Sequence, residues 1–183
     1  MVNVIDTKYT RIEYERRFLV SPLADWKSRV EPYSKTFDDK YIQSTRLRLR
    51  VLVDSENGLR LIKLNKKIES TSPYFSTVSR ILLSPTEYEL LDRLEGERIK
   101  KVRYYHHHLG RIFSVDVFDG DLEGLVLCEI EADNLEELMM AEPPEYVTHE
   151  VTEDAFFRGG NLCRTTRSEL QHKLLTLACA LAQ

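Results

Sequence analysis

An α+β fold built on an antiparallel meander is what this chain predicts, and three observations carry the prediction. Two-residue alternation recurs at roughly 11–20, 41–53, 59–68, 75–83, 99–108, 111–119 and 125–132, each run rich in Val, Ile, Leu, Tyr or Phe. Turn-forming clusters stand between neighbouring runs, DSENG at 54–58, HLGR at 108–111 and DGDLEG at 119–124, so the strands are expected to join as hairpins. A few capped helical segments punctuate them.

Those helices are predicted from their ends. SPLADWKSRV at 21–30 and SPTEYELLDRLEG at 84–96 each begin with a Ser N-cap followed by Pro, and Ser84 with Glu87 forms a capping-box pattern that Gly96 would close. A third helix runs through NLEELMMAE until Pro143 and Pro144 end it. RSELQHKLLTLACALA forms the last, with Leu170, Leu174, Leu177, Ala178 and Leu181 on one face. No repeat, low-complexity tract or linker interrupts the chain, which is expected to form a single domain over 1–183.

Composition sets the limits. At 42% hydrophobic and 31% charged residues, 183 residues can bury a real core. No apolar run approaches the length of a membrane span, and the first residues hold no uninterrupted apolar signal stretch, so no membrane partner is expected and the expected address is cytoplasmic. A net charge of -4 gives no general affinity for nucleic acid. Cys128, Cys163 and Cys179 are odd in number and set among apolar neighbours, which suits reduced core thiols.

Charge patterning points to function. In RIEYERRFLV, Glu13, Glu15 and Arg17 share one strand face while Ile12, Tyr14 and Phe18 share the other. Arg46, Arg48 and Arg50 alternate in TRLRLRVLV, and Lys63 occupies RLIKLNKK. Lys101 and Arg103 alternate in IKKVRYY, Asp116 lies between two valines, and Glu129 and Glu131 alternate in LCEIEAD. If these faces look the same way, a closed sheet carries its charges inside and its apolar face outward beneath the helices. Such an interior must hold water, ions or an anionic ligand, because unpaired buried charge is too costly. Its cationic excess suits a polyanion, and its carboxylates suit a hard divalent cation, Mg²⁺ or Mn²⁺. Phosphate chains need both.

These residues resemble a known family. Glu13, Glu15 and Arg17 are similar to the Glu-x-Glu-x-Lys signature that opens the CYTH superfamily, the triphosphate tunnel metalloenzymes. TRLRLR, LIKL, IKKVRYY and FSVDVFDGDLEGLVLCEIEAD resemble its basic second strand, lysine strand, next basic strand and acidic hairpin, and VTEDAFFRGGNL its late helical stretch. The resemblance implies an eight-stranded antiparallel β-barrel with helices packed outside, binding a triphosphate and one or two divalent metals. Glu13, Glu15 and Glu131 are then the expected metal ligands and Glu129 and Asp116 supporting acids. Arg46, Arg48, Lys63, Lys101 and Arg103 form the phosphate clamp. Glu13, Glu15, Arg17 and Lys101 would carry the chemistry.

Two positions depart from the pattern. Residue 17 is Arg where the family has Lys, a rigid fork in place of a mobile ammonium. FSTVSRILL offers Ser76, Val78 and Arg80 where relatives carry inward glutamates, with Arg80 a further substrate-binding candidate. Three functions follow: metal-dependent hydrolysis of tripolyphosphate or an organic triphosphate, cyclisation of ATP to cyclic AMP, and non-catalytic polyphosphate or nucleotide binding by a monomer or homodimer. Other residues carry blander expectations. Arg50 and Lys66 read as rim or solvent charges, and Asp116 serves either the site or a pair with Arg103. His106, His107 and His108 form a solvated strand end, while Trp26, Tyr104 and Tyr105 pack.

Overall fold

The computed structural model describes residues 10–181. Nine strands follow one another: β1 (Thr10–Val20), β2 (Ser34–Ile42), β3 (Leu47–Asp54), β4 (Arg60–Glu69), β5 (Phe75–Leu82), β6 (Gly96–His108), β7 (Arg111–Phe118), β8 (Val126–Ala132) and β9 (Val147–Glu150). The helices are α1 (Pro85–Leu91), α2 (Leu135–Met139), α3 (Gly159–Leu162) and α4 (Arg167–Leu181). No described helix is long and apolar enough to cross a membrane.

The strands form one antiparallel sheet in the order β5-β4-β3-β2-β6-β7-β8-β1-β9, which β5 closes by pairing with β1. The barrel therefore has eight strands, with β9 added beside them. β1 is the closing strand. Its Thr10–Tyr14 half pairs with β5, its Tyr14–Leu19 stretch with β8, and its last residues with β9.

The apolar face points outward, as the alternation requires. Phe18, Val20, Phe113, Val115, Cys128 and Ile130 are buried between the barrel wall and a cover of Trp26, Leu138, Ala141 and Tyr146. One end of the interior is also apolar. Inward-facing Leu19, Ile99, Phe118 and Leu127 pack with Phe157, Leu162 and Leu170, so the segment from the short 3₁₀ helix Ala155–Phe157 to α4 plugs that end.

Several expectations are corrected. The 41–53 run is not one strand: residues 43–46 form a turn between β2 and β3, with Ser44 at φ 57°. Thr45 drives it, donating its hydroxyl to the Ile42 carbonyl and accepting from the Leu47 amide. β2 itself, SKTFDDKYI, went unseen because it carries charge on both faces. The 21–30 segment is not an α-helix but turns and a short 3₁₀ piece, Lys27–Arg29. A helix would align Leu23 with Trp26, yet Leu23 is 95% exposed while Trp26 is buried.

At α1 the capping box of Ser84 and Glu87 forms as expected, but the helix ends at Asp92. Gly96 opens β6 instead of stopping α1. A Cβ there would lie 2.2 Å from the Tyr41 carbonyl oxygen, so the strands can approach only with glycine. Asn134 caps α2, which ends before the prolines. On α4, Leu170 is buried and Ala178 is exposed, whereas the side chain of Leu181 lies outside the described residues. All three cysteines are free; Cys128 is buried, but Cys163 is half-buried and Cys179 exposed.

Candidate active site

The inward faces of the strands enclose a cavity of about 370 Å³, lined by ten arginine and lysine side chains and five carboxylates. Strand period explains the gathering. Glu13, Glu15 and Arg17 on β1, Arg48 and Arg50 on β3, Arg80 on β5, Lys101 and Arg103 on β6, and Glu129 and Glu131 on β8 all occupy lumen positions.

One half of the wall is a relay of alternating charge. Lys67 bonds Glu15, whose other partner is the Arg17 guanidinium at 2.5 Å. Arg17 Nε donates to Glu129 at 2.9 Å, and Glu129 accepts from Arg103 at 2.5 Å. Arg103 grips Asp116 with two bonds of 2.6 Å, and Asp116 also holds Lys101. Every carboxylate in this chain is shared by two cations, and the chain begins and ends on a lysine. Burial opposes the charge of Glu15, but Arg17 and Lys67 outweigh it and hold the carboxyl down at about 2. Glu129 is likewise held well below the ordinary range, against its burial, by Lys101, Arg103 and Arg17. Lys101 is shifted down because burial outweighs Asp116.

Elsewhere the pairing is looser. Glu13 accepts from Arg11 at 2.6 Å and Arg80 at 2.7 Å. Glu131 has only Arg11, at 4.0 Å, and its carboxyl is pushed up by burial and by the like charges of Glu13, Glu129 and Glu15.

The sequence-derived candidates sort as follows. Arg46 lines the cavity from the turn before β3 and is exposed. Lys63 shares the inward face but lies beyond the cavity; burial and the nearby Arg80 and Arg50 charges depress it. Asp116 is fully buried behind Lys101 and Arg103, so it supports the cations from outside the cavity. Arg50 is no rim charge. It points inward and forms a bidentate pair with Asp39 at 2.5 and 2.6 Å. Lys66 is exposed, as expected. His106 bonds the Tyr146 hydroxyl at 2.9 Å on the outer face, and Tyr104 packs on Trp26 at 5.6 Å.

Asp39, Lys67, Asn65 and Tyr41 also line the cavity, as do Arg158 and Asn161 from the plug. Asp39 is held at about 2 by Arg48 and Arg50 despite its burial. Lys67 was legible: it continues the alternation of Lys63 and Asn65 by one more step. Asp39 lay on the strand that charge on both faces concealed, whereas Tyr41 fell inside the 41–53 run.

A protein of Nitrosomonas europaea named inorganic triphosphatase is 30% identical to this chain over 155 residues, covering 80% of the chain and 93% of that protein. The chain belongs to the inorganic triphosphatase family. The crystal structure of the inorganic triphosphatase NE1496 superposes with a TM-score of 0.55 at 26% identity, over 84% of this chain and 95% of that one. A second crystal structure of NE1496 gives 0.55 at 25% identity, over 84% and 99%. No family model matches the chain.

Within this family member, the carboxylate edge fits a divalent cation in donor chemistry. Glu15 and Glu131 stand directly across from one another on β1 and β8, with Glu13 one inward position along. Like charges so placed repel, which adds to the burial that first raises the Glu131 carboxyl. All donors are hard oxygens, as Mg²⁺ or Mn²⁺ requires. Among the described residues no three acidic, His or Cys side chains already converge on one point, because Glu13 and Glu15 lean onto Arg80, Arg17 and Lys67.

Proposed function

We propose that this chain is a cytoplasmic CYTH-superfamily enzyme that hydrolyses inorganic tripolyphosphate, or a related organic triphosphate, in its barrel lumen with the help of Mg²⁺ or Mn²⁺. The observation that carries the reading is the twofold excess of cations over carboxylates in a buried cavity, together with the 30% identical inorganic triphosphatase. A polyanion is the ligand such a cavity stabilises, because its charges replace the lost hydration of the arginines.

Arg46, Arg48, Arg80, Lys101 and Arg103 would bind non-bridging oxygens and offset the charge that develops on the leaving diphosphate. Asp39 and Asp116 hold Arg50 and Arg103 in fixed orientation, so little reorganisation accompanies binding. Glu13, Glu15 and Glu131 are the residues that would hold the metal, which would supply Lewis-acid charge neutralisation at the reacting phosphoryl group. Water attacks in line with the diphosphate leaving group. Free cysteines suit a reducing compartment, and a monomer or homodimer without nucleic-acid or membrane partners suffices for a site built from one chain.

The test is phosphate release from tripolyphosphate, ATP and thiamine triphosphate with Mg²⁺ or Mn²⁺, beside a Glu13→Ala/Glu15→Ala control. Metal-dependent turnover that vanishes in the control supports the enzyme. A second reading, a binding module without chemistry, is favoured by Arg17, whose fork ties Glu15 to Glu129. It predicts no turnover while tripolyphosphate still raises the melting temperature.

A further inference from the structure

β1 has two edges, and one of them is interrupted where its charges lie. Along one edge β8 pairs without a break from Tyr14 to Leu19. Along the other, β5 reaches only to Tyr14 and β9 begins only at Phe18. Among the described residues, no strand therefore pairs with positions 15–17 on that edge, where Glu15 and Arg17 sit. The amide and carbonyl of one strand residue point to the same edge, so these backbone groups need partners from elsewhere.

Two connecting segments supply them. The Tyr74 carbonyl accepts from the Glu15 amide at 2.9 Å. The Thr152 hydroxyl accepts from the Arg17 amide at 2.9 Å, and the Val151 amide donates to the Arg17 carbonyl at 2.8 Å. Thr152 is 1% exposed, and its own hydroxyl proton goes to Glu150 at 2.7 Å. Glu150 is gripped in turn by Arg16 at 2.7 and 3.1 Å. The Tyr74 hydroxyl donates to Glu153 at 3.0 Å, which ties the two segments together across the interruption. Both belong to the cavity's surroundings: Ser70, Ser72 and Pro73 line it just before Tyr74, and the chain beyond Glu153 enters the plug.

We propose that Thr152 is a positioning residue for the charge relay, its hydroxyl taking the place of the missing strand and fixing the backbone from which Glu15 and Arg17 reach into the lumen. The proposal rests on the triphosphatase reading above, in which those side chains carry the chemistry. Threonine suits the task because one oxygen must accept from an amide while passing its proton to a carboxylate, and a β-branched side chain has few rotamers to lose in doing so. Slack at residue 17 would spread, since Arg17 bonds both Glu15 and Glu129, and Glu129 bonds Arg103. Arg48 and Arg50, by contrast, take their bonds from Asp39 and Tyr41 on β2. Loss of the hydroxyl should therefore slow turnover while leaving the grip on substrate intact.

Thr152→Val tests this by keeping the shape and removing the hydroxyl. Glu150 retains Arg16, so the buried Arg17 amide is the group left without its partner. Thr152→Ser restores the hydroxyl. We would measure kcat and KM for tripolyphosphate with Mg²⁺ per folded molecule, and tripolyphosphate affinity by calorimetry without Mg²⁺ as a readout independent of turnover. The expected result is a kcat about tenfold lower in Thr152→Val, with KM and affinity within about twofold of wild type, and recovery of most of the kcat in Thr152→Ser.

A purely structural threonine would lower the melting temperature while each folded molecule turned over at the wild-type rate. That result, or Val and Ser variants that are equally slow, would overturn the positioning role while the triphosphatase reading stood. Should Thr152→Val fail to fold, Tyr74→Phe cuts the tie to Glu153 at a partly exposed side chain. Its kcat should fall about threefold at constant KM, and an unmoved kcat would overturn the proposal. A wild-type protein that does not hydrolyse tripolyphosphate overturns the triphosphatase reading and the positioning role with it.

Discussion

Two sides of the same lumen are built on opposite principles. On the β1–β8–β6 side most charges are answered: Glu15, Arg17, Glu129, Arg103 and Asp116 form a continuous chain of short bonds, while Glu131 has Arg11 at 4.0 Å. On the β3–β4–β5 side, Arg48 Nε, Asn65 and Ser76 are left with unused hydrogen-bonding capacity. The first side is a scaffold whose charges are mutually satisfied, and the second is a surface prepared for something else. Substitutions should therefore cost most stability at the first side, where Lys101 and Arg103 also face the lumen, and little stability at the second, where the effect falls on ligand affinity.

The sharpest way to break that contrast is Arg103→Leu. It leaves Asp116, which is fully buried, with Lys101 alone and removes a partner of Glu129. A loss of about 3–5 kcal/mol in urea unfolding is expected; a change below about 1 kcal/mol would show that the relay is not structural. Acid probes the same side without mutation. The Glu15 carboxyl lies at about 2 against an ordinary 4.5, and Asp39 at about 2 against 3.8. Between those values the unfolded chain binds protons that the folded chain does not. The contribution is complete above the ordinary values and lost as pH falls towards 2. Melting temperatures that stay flat from pH 5 to pH 2.5 would contradict it.

Arg17→Lys tests whether the relay restrains the proposed metal. Replacing the fork by an ammonium forfeits one charge-assisted bond, about 1.5 kcal/mol. It also frees Glu15 or Glu129, so half-maximal Mg²⁺ for phosphate release should fall severalfold; an unchanged metal requirement would separate Arg17 from the metal question. The smallest stability effect belongs to Arg80→Ala. Its pair with Glu13 is 36% exposed on the arginine side, so under about 1 kcal/mol is expected. KM for tripolyphosphate should nevertheless rise about tenfold, and an unmoved KM would remove Arg80 from the clamp.

Much of this contrast could be seen in the sequence, and the reasons for the exceptions are physical. Inward charge on β8 was legible because the strand alternates cleanly between charged and apolar residues, and on β1 and β6 because Glu13, Glu15 and Arg17, and Lys101 and Arg103, keep the two-residue spacing even though Arg16, Arg98 and Lys100 put charge on the outer face as well. β2 escaped because Asp38 and Lys40 decorate its outer face while Asp39 points inward, which blurs the two-residue period. Residues 21–30 satisfied local helix rules, but burying Trp26 against Tyr104 overrode them. Asn65 carried no signal at all, since an amide inside a basic strand becomes informative only when its neighbours are known to be occupied elsewhere. The plug residues Phe157 and Leu162 were visible only through resemblance, because their partners lie on distant strands.

The closing role of β1 also has a consequence in time. Arg17 and Glu129 are 112 positions apart, and at a synthesis rate of roughly 5–20 residues per second the first strand waits on the order of ten seconds for its partner to emerge. Until then its carboxylates and guanidiniums are exposed to the cell without a barrel around them. The first charged strand is thus made well before the strands that enclose it, so the charged chamber should be among the last parts of the barrel to mature.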